Sequence, residues 1–531
     1  MSGLWLPCDL GEGSVKKKPG ALLYLRVVWL SIAAAVVFVA SGGLSPALAL
    51  PSFARQTGQP CGACHTEFPG LTPFGRRFKL GGYTYGGGPY RTTPFVSPFD
   101  GHLDASNAQK ARDASNSSST TIVGSQADKE ATATNDTWVP PISAMAILGY
   151  THTQASQDPT GSPYRSNNNL VWSPVSFFYG GAITDHIGAF AQVTYNGPPF
   201  GAQDPADPFA GYQWTWDNTD IRYADTVSLA NLNVLYGISA NNNPTVQDPW
   251  NTTPAWSFPY AVSNIAPGPA TSTLIEGALA GHVAGAGGYL FINDFLYLEL
   301  SGYKTLNYDA QTKLGADPFG APGMIDGIAP YWRIAAEPHW GNHWLEFGAF
   351  GMSANIHPWT GATDDNGFYL NQTDSLTNRY TDTAFDAQYQ YMGDNYWITL
   401  RGTYIHEDQT LDSTFASGGS DNPTATLNSL KLMAQLAYGN DNRVVFTGQY
   451  FDTRGSSDAT LYANLVSGLS PDSNGYTFEV AYIPFISSHS PIWPWANARV
   501  GLQYTYYNKF DGDTSSAHDN NTLFAYIWFA L

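Results

Sequence analysis

The sequence predicts an all-β fold: an antiparallel β-barrel of about sixteen strands that spans a membrane. Only 13% of the 531 residues are charged, about half the share usual in soluble proteins, whereas 14% are aromatic. Past residue 50 no stretch approaches the ~20 consecutive apolar residues of a transmembrane helix. From residue 139 onward, polar and apolar residues alternate within successive segments. This is how a membrane barrel spreads its apolar surface over alternate positions.

Residues 1–49 are predicted to be a cleaved export signal. Basic residues at 16–18 and Arg26 precede an apolar run over 27–40, and Ala47-Leu-Ala49 supplies a small-x-small cleavage site. A membrane anchor is the alternative, but the run is short and ends in Ser-Gly-Gly. Cleavage after Ala49 removes Cys8 and leaves two cysteines in the mature chain.

The two remaining cysteines lie in Cys61-Gly-Ala-Cys64-His65, a C-x-x-C-H motif. At this spacing two thiols add to the vinyl groups of a c-type haem, and the following histidine ligates the iron. A disulfide and a thioredoxin-like redox pair use the same two cysteines, but the latter belongs to a βαβ unit, which the sequence does not predict. The motif therefore predicts one covalently bound haem c on Cys61 and Cys64, with His65 as axial ligand.

The predicted haem segment, residues 50–102, is too short to bury a large core by itself. Either the haem supplies part of that core or the segment docks into something larger. The residues available to cover a porphyrin are Phe68, Leu71, Phe74, Phe78 and Leu80. Three basic residues either pair with haem propionates or form a solvated turn: Arg76, Arg77 and Lys79.

The sixth ligand of the haem iron stays open at this level. Between the cleavage site and the barrel there is no methionine, and His102 is the only histidine besides His65. Alternation places three further candidates on the lumen side of the barrel: His282, Met352 and Met433. A methionine would raise the reduction potential. The ordinary alternative for each is that the side chain only packs in a core.

Residues 103–138, rich in Ala, Ser, Thr, Asn and Asp, are predicted to be a linker, and residues 139–531 the barrel. Within 396–404, for example, one face is apolar and the other carries Trp397, Thr399, Arg401 and Thr403. Short turns such as 293–294 alternate with long loops such as 409–424. Outer-membrane barrels have short periplasmic turns and long outer loops, so both ends of the predicted barrel lie on the periplasmic side.

The loop 241–274 follows the fifth predicted strand and is rich in aromatic residues and proline. By analogy with sixteen-stranded porins, we expect it to fold into the lumen, an external flap being the alternative. The net charge of −19 argues against nucleic acid as a partner and favours cations. Acidic residues of the outer loops either attract such a cation or keep the loops soluble: Asp364, Asp365, Asp374, Asp412, Asp421, Asp511 and Asp513.

Through its motif and its barrel, the chain resembles the fused monohaem cytochrome–porins, the outer-membrane iron(II) oxidases of iron-oxidising bacteria. The local match is residues 51–83, PSFARQTGQPCGACHTEFPGLTPFGRRFKLGGY. The resemblance implies a haem segment that enters the barrel from the periplasmic side and plugs its lumen. It also implies outer-membrane lipid as surroundings, extracellular Fe²⁺ as electron donor, and a periplasmic c-type cytochrome or copper protein as acceptor. Only Cys61, Cys64 and His65 carry over residue by residue.

The alternative function is a solute porin whose haem segment is structural or regulatory. Its open lumen would take selectivity from Glu299, Arg333, Glu346, Arg401, Glu479 and Arg499. A haem peroxidase is disfavoured, because no distal His/Arg pair lies near the motif.

Overall fold

The computed structural model describes residues 50–86, 139–156, 167–196, 213–318, 320–363, 369–371 and 376–531. The predicted export signal 1–49, the linker 103–138 and His102 lie outside these ranges. The described residues form one antiparallel sheet that closes on itself, because β1 pairs with β2 on one side and with β19 on the other. The predicted barrel is therefore confirmed.

The strands in the described part of the chain are β1 Ile142–Thr153, β2 Asn168–Ala182, β3 Ile187–Asn196, β4 Gln213–Leu229, β5 Leu232–Asn241, β6 Val283–Ile292, β7 Leu296–Thr305, β8 Gly323–Asp326, β9 Ala329–Ala336, β10 His339–Trp340, β11 His343–Thr363, β12 Tyr369–Asn371, β13 Asn378–Met392, β14 Tyr396–Thr410, β15 Thr424–Tyr438, β16 Arg443–Gly455, β17 Ser473–Ile483, β18 Asn497–Lys509 and β19 Thr522–Ala530. Strands β8, β9 and β10 are consecutive pieces of one wall strand beside β11, and β12 only pairs back onto the end of β11. The wall thus has sixteen strands, as predicted.

Alternation along each strand separates an apolar outside from a polar inside. In β14, Leu400 is 45% exposed on the outside of the barrel, whereas Thr399 and Arg401 face inward and are buried. Neighbouring strands continue the exposed apolar band with Leu432, Phe446, Phe478 and Leu502. Such a band is costly in water and suits lipid. In the described residues, no helix is long and apolar enough to cross a membrane.

The two ends of the barrel differ in their connections. One end, called the short-turn end below, carries turns 183–186, 230–231, 293–295, 341–342, 393–395 and 439–442. Its one longer connection among the described residues, 484–496, was not predicted. Both the first and the last wall strand reach this end, where Ala144 N donates to the carbonyl of Leu531 at 2.6 Å. The opposite, long-loop end carries connections such as 242–282 and 456–472.

The helices of the described residues are short: α1 Pro51–Thr57, α2 Cys61–Cys64, α3 Pro73–Leu80, α4 Tyr308–Lys313 and α5 Asp412–Ala416. The first three belong to the plug segment, residues 50–86. Arg55 donates to the carbonyl of Ile142 at 2.7 Å, and the Tyr289 hydroxyl donates to the carbonyl of Leu80 at 2.5 Å. Since β1 begins and β6 ends at the short-turn end, the plug segment lies inside the barrel there. It docks into something larger, which was one of the two expectations.

The loop 242–282 also lies inside the barrel. Arg222 of β4 donates to the carbonyl of Gln247 at 2.6 Å, and Gln449 of β16 donates to that of Phe258 at 2.9 Å. These strands are far apart around the wall, so the loop crosses the lumen between them. Its Trp250 is 1% exposed. The predicted inward fold is confirmed, and the external flap is excluded.

Candidate haem-binding site

The C-x-x-C-H motif folds as a single helical turn. Helix α2 follows Pro60 and ends when His65 turns to an extended conformation, with His65 N donating to the carbonyl of Cys61 at 2.9 Å. Helix α3 packs closely over this turn. A β-carbon at Gly75 would stand 2.2 Å from the carbonyl oxygen of Cys64. Glycine at this position therefore permits the contact between α2 and α3.

Barrel residues at the short-turn end hold this turn in place. The Arg443 guanidinium donates to the carbonyl oxygens of His65 at 2.9 Å and Thr66 at 2.6 Å, and it stacks 3.8 Å from the centre of the Trp397 ring. Gly62 N donates to the carbonyl of Ile486 at 2.9 Å, within the unpredicted connection 484–496. Neither partner was identified from the sequence, because alternation says nothing about the first residue of a strand or about a connection.

The residues of the turn fit a covalent haem. Cys61 and Cys64 are free thiols and are spaced as thioether attachment requires. The Nδ1 atom of His65 is buried without a hydrogen-bond partner. Burial lowers the pKa of His65 to about 4, so its imidazole is neutral near pH 7, the form that ligates a metal.

The two thiols lack the character of a reactive redox pair. Burial raises the pKa of the Cys61 thiol and raises that of Cys64 to about 12. In reactive C-x-x-C pairs the pKa of the attacking thiol is lowered instead. The thioredoxin-like alternative is therefore disfavoured.

The three basic residues of helix α3 contact the barrel or its inward loop. Arg76 is buried and forms an ion pair with Glu337 at 3.0 Å; Arg77 pairs with Asp294. Lys79 donates to the carbonyls of Val246 and Asp248 at 2.7 and 2.8 Å. For Arg76 and Lys79, the solvated turn is wrong, since both are buried, and neither side chain is left over for a propionate.

A second buried charge cluster anchors the residues just after the motif. Arg499 of β18 lies 2.6 Å from Glu67 and also contacts Glu479. It donates in addition to the carbonyl of Phe68 at 2.8 Å. All three charged side chains are 1% exposed or less. The plug segment is thus attached to the wall by two guanidinium groups, one at His65 and Thr66 and the other at Glu67 and Phe68.

The structure separates the candidates for the sixth ligand. His282 precedes β6 at the long-loop end, where its Nδ1 lies 2.9 Å from Gln311 Oε1. Met352 packs in a hydrophobic cluster with Leu274 and Ile275 of the loop 242–282. This cluster contains no residue of the plug segment. Neither is brought to the motif. Met433 is two residues along β15 from Gln435, whose amide donates to Glu67, so it stays a candidate.

Sequence reasoning missed one methionine beside the motif. Met392, the last residue of β13, packs against the cluster of Phe68, Trp397 and Ile486 that Cys61 also contacts. Its position at the end of a strand gave no signal in the alternation.

The six charged residues predicted to set porin selectivity do face the lumen and are buried: Glu299, Arg333, Glu346, Arg401, Glu479 and Arg499. They bind one another or the loop. Glu299, for instance, accepts from Gln247 at 2.7 Å, and Arg401 donates to the hydroxyl of Tyr260. In the described residues the lumen is therefore filled at these positions.

Described acidic residues of the outer loops accept hydrogen bonds within their own loop or from a neighbouring loop. Asp513 accepts hydrogen bonds from Ser515 and Ser516, and Asp511 accepts from Ala270 N at 3.1 Å. Asp364, Asp365 and Asp374 lie outside the described residues. Within the described ranges there is no group of three or more His, Cys, Asp or Glu side chains suited to a metal ion.

No protein-family model and no curated protein matches the chain. It is similar to solved outer-membrane proteins at low identity. Salmonella typhi OmpF in complex with daunomycin shares 14% identity at a TM-score of 0.41, over 73% of this chain and 97% of that one. Pseudomonas putida OprB shares 12% at 0.38, over 73% and 92%; the channel DcaP of Acinetobacter baumannii shares 10% at 0.37, over 73% and 96%. The fold assignment rests on the strand pairing and not on these values.

Proposed function

We propose that the chain is an outer-membrane c-type cytochrome fused to a porin-like barrel, which oxidises extracellular Fe²⁺ and passes the electrons to a periplasmic carrier. The observation that supports this is the C-x-x-C-H turn inside the barrel lumen, with two free thiols and an unpartnered His65 nitrogen. In outer-membrane barrels the short turns face the periplasm, so the turn would be on the periplasmic side.

The residues of the chain have defined parts in this proposal. When bound, the haem supplies a one-electron carrier. Cys61 and Cys64 hold it covalently, and His65 provides the axial nitrogen. Arg443 fixes the backbone of His65 and Thr66 and thereby orients the turn. The loop 242–282 crosses the lumen and would restrict the passage of solutes.

The haem is tested by staining a denaturing gel for haem. Thioether bonds survive denaturation, so the stain should migrate with the wild-type protein. Cys64→Ala should lose most of the stain, whereas Met352→Leu, which alters the lumen away from the motif, should keep it. Full staining of Cys64→Ala would sink the assignment.

Fe²⁺ oxidation is tested in proteoliposomes whose long loops face outward. External Fe²⁺ should reduce the haem, seen at its absorption bands, while Fe²⁺ does not appear inside the vesicles. The matched control is Cys64→Ala, which should give no band. If the haem is reduced only when Fe²⁺ is supplied inside the vesicles, the proposed oxidation of extracellular Fe²⁺ is wrong.

A solute channel is the second candidate function, favoured by the porin-like barrel itself. Planar-bilayer recordings separate the two. The filled lumen predicts low ion conductance for the intact protein, and a large steady conductance would favour the channel.

A further inference from the structure

A buried charge cluster lies on the lumen wall apart from the plug segment. Arg333 of β9 faces three carboxylates: its Nη2 lies 2.7 Å from Asp386, 3.1 Å from Glu346 and 3.5 Å from Asp248. All four side chains are 1% exposed or less. One guanidinium cannot balance three carboxylates. If all are ionised, the cluster carries two uncompensated negative charges.

A further cation near the cluster does not remove this imbalance. Lys79 of the plug segment donates to the carbonyl oxygen of Asp248 and not to its carboxylate. Even with its full charge counted, one negative charge remains. Buried charges are tolerated only when they are paired or bound to a metal, or when a proton neutralises them.

Two carboxylate oxygens of the cluster have no partner. Asp386 Oδ1 and Glu346 Oε2 are buried and make no hydrogen bond. The other Asp386 oxygen accepts from Arg333 and from the Thr252 hydroxyl of the inward loop. One carboxylate oxygen of Asp386 is therefore hydrogen-bonded, whereas the other has no hydrogen-bond partner.

The β-carbon that Gly348 lacks would lie beside one of these two oxygens and beside the Arg333-bound oxygen of Glu346. Gly348 stands directly opposite Asp386 in the β11–β13 register. A β-carbon at Gly348 would lie 2.8 Å from Asp386 Oδ1, 2.9 Å from Glu346 Oε1 and 3.1 Å from the carbonyl oxygen of Ile334. Three oxygens from three strand positions therefore converge on the space that glycine leaves.

We propose that Asp386, Glu346 and the carbonyl of Ile334 bind a divalent cation on the lumen wall. Carboxylate and carbonyl oxygens are the ligands that hard divalent cations prefer. A charge of +2 matches the excess of the Arg333 cluster. Cation binding at this site does not depend on the haem. To identify the bound cation as substrate Fe²⁺ would rest on the proposed function.

The site is tested with Mn²⁺, which takes oxygen ligands and is counted by electron paramagnetic resonance. The full-length protein in detergent should bind one Mn²⁺ more tightly than the outer loops do. Asp386→Asn should weaken this binding at least tenfold. Gly348→Ala should do the same while every charge remains, because its β-carbon occupies the space.

Two matched variants should bind Mn²⁺ like wild type. Gly448→Ala is also a strand glycine, but its β-carbon would meet only Phe478, at the ordinary distance of 3.5 Å. Asp408→Asn removes an exposed carboxylate next to the same wall. Heat-dependent gel migration identifies the variants that are folded. If Gly348→Ala does not fold, the Mn²⁺ binding of Asp386→Asn alone tests the proposal.

A wild-type protein without a tight Mn²⁺ overturns the proposal, since the carboxylates are then neutralised by protons. Unchanged binding in folded Asp386→Asn overturns it equally. The measurement needs no haem reduction, so failure of Fe²⁺ oxidation leaves its outcome intact, and the reverse also holds.

Discussion

The barrel wall and the plug segment are held together by different forces. In the wall, backbone hydrogen bonds join every strand to two neighbours, and the pairing of β1 with β19 leaves no open edge. The plug segment consists of helices of seven, four and eight residues. Helices this short are not stable alone in water. The wall satisfies its own backbone, whereas the plug segment depends on what the wall supplies.

What the wall supplies is mostly charge and polarity at the short-turn end. Arg443, Arg499 and Glu337 reach from three parts of the wall to the plug segment, and each contact joins residues far apart in sequence. Such side-chain contacts are worth more when buried than on a surface, and breaking one leaves a buried partner alone. The candidate site is therefore the region whose structure depends most on the rest of the chain.

The largest expected effect follows from separating the two regions. A chain without residues 50–138 should still form a heat-resistant barrel with a β-type far-ultraviolet spectrum, because strand pairing remains complete. A peptide of residues 50–102 without haem should show no stable helix. A barrel that fails to form without residues 50–138 would contradict this one-sided dependence.

Next in size is the loss of a guanidinium between the two regions. Arg499→Met leaves Glu67 and Glu479 buried without their cation, which costs about 3–5 kcal/mol. The urea dependence of protease cleavage within the plug segment measures this loss of stability. Lys313→Ala is the control: it breaks the exposed pair with Asp309 in α4 and should cost less than about 1 kcal/mol. Equal effects would mean that the buried pair is not what holds the plug segment.

The same contrast explains what the sequence could predict. The wall was predictable because alternation is local: the exposed Leu400 and the buried Thr399 follow from neighbouring letters in β14. The C-x-x-C-H turn was identified because its chemistry depends on spacing. The inward loop was expected only by analogy, and the contacts of Gln247 and Phe258 with the wall now supply the physical reason.

Long-range partners could not be predicted. Arg76 was expected at a propionate or in solvent, but it meets Glu337, which is 261 residues away. Arg443 and the connection 484–496 carry no periodic signal, although both hold the C-x-x-C-H turn. The choice among His282, Met352 and Met433 needed the height of each residue in the barrel, which alternation does not give.

A smaller effect should appear as a dependence on pH. Burial lowers the pKa of Lys79 to about 7, against about 10.4 in an unfolded chain. Between these values the unfolded state binds more protons, so the stability of the docked plug segment rises with pH and is lost as pH falls. From pH 7 to 9 the gain should be about 2 kcal/mol.

Protease resistance of the plug segment across this pH range, compared between wild type and Lys79→Met, isolates the effect. The variant should lose the rise, since methionine does not titrate. Lys313→Met, which changes an exposed lysine in α4, should keep it. A rise that persists in Lys79→Met would assign the pH dependence to another group.

The smallest expected effect concerns the one cap that links the helices of the plug segment. The Thr72 hydroxyl accepts from Gly75 N at 3.1 Å, at the start of α3, and donates to the carbonyl of Ala63 in α2 at 2.6 Å. Thr72→Ala removes both bonds and should cost about 1 kcal/mol, while Thr72→Ser keeps both. Thr312→Ala, in the exposed helix α4, should cost less than about 0.5 kcal/mol. Because the wall anchors the plug segment at other residues, Thr72→Ala should loosen the C-x-x-C-H turn without undocking the plug segment. Faster protease cleavage would show this loosening. Complete undocking would show that the plug segment is held by its own helices more than by the wall.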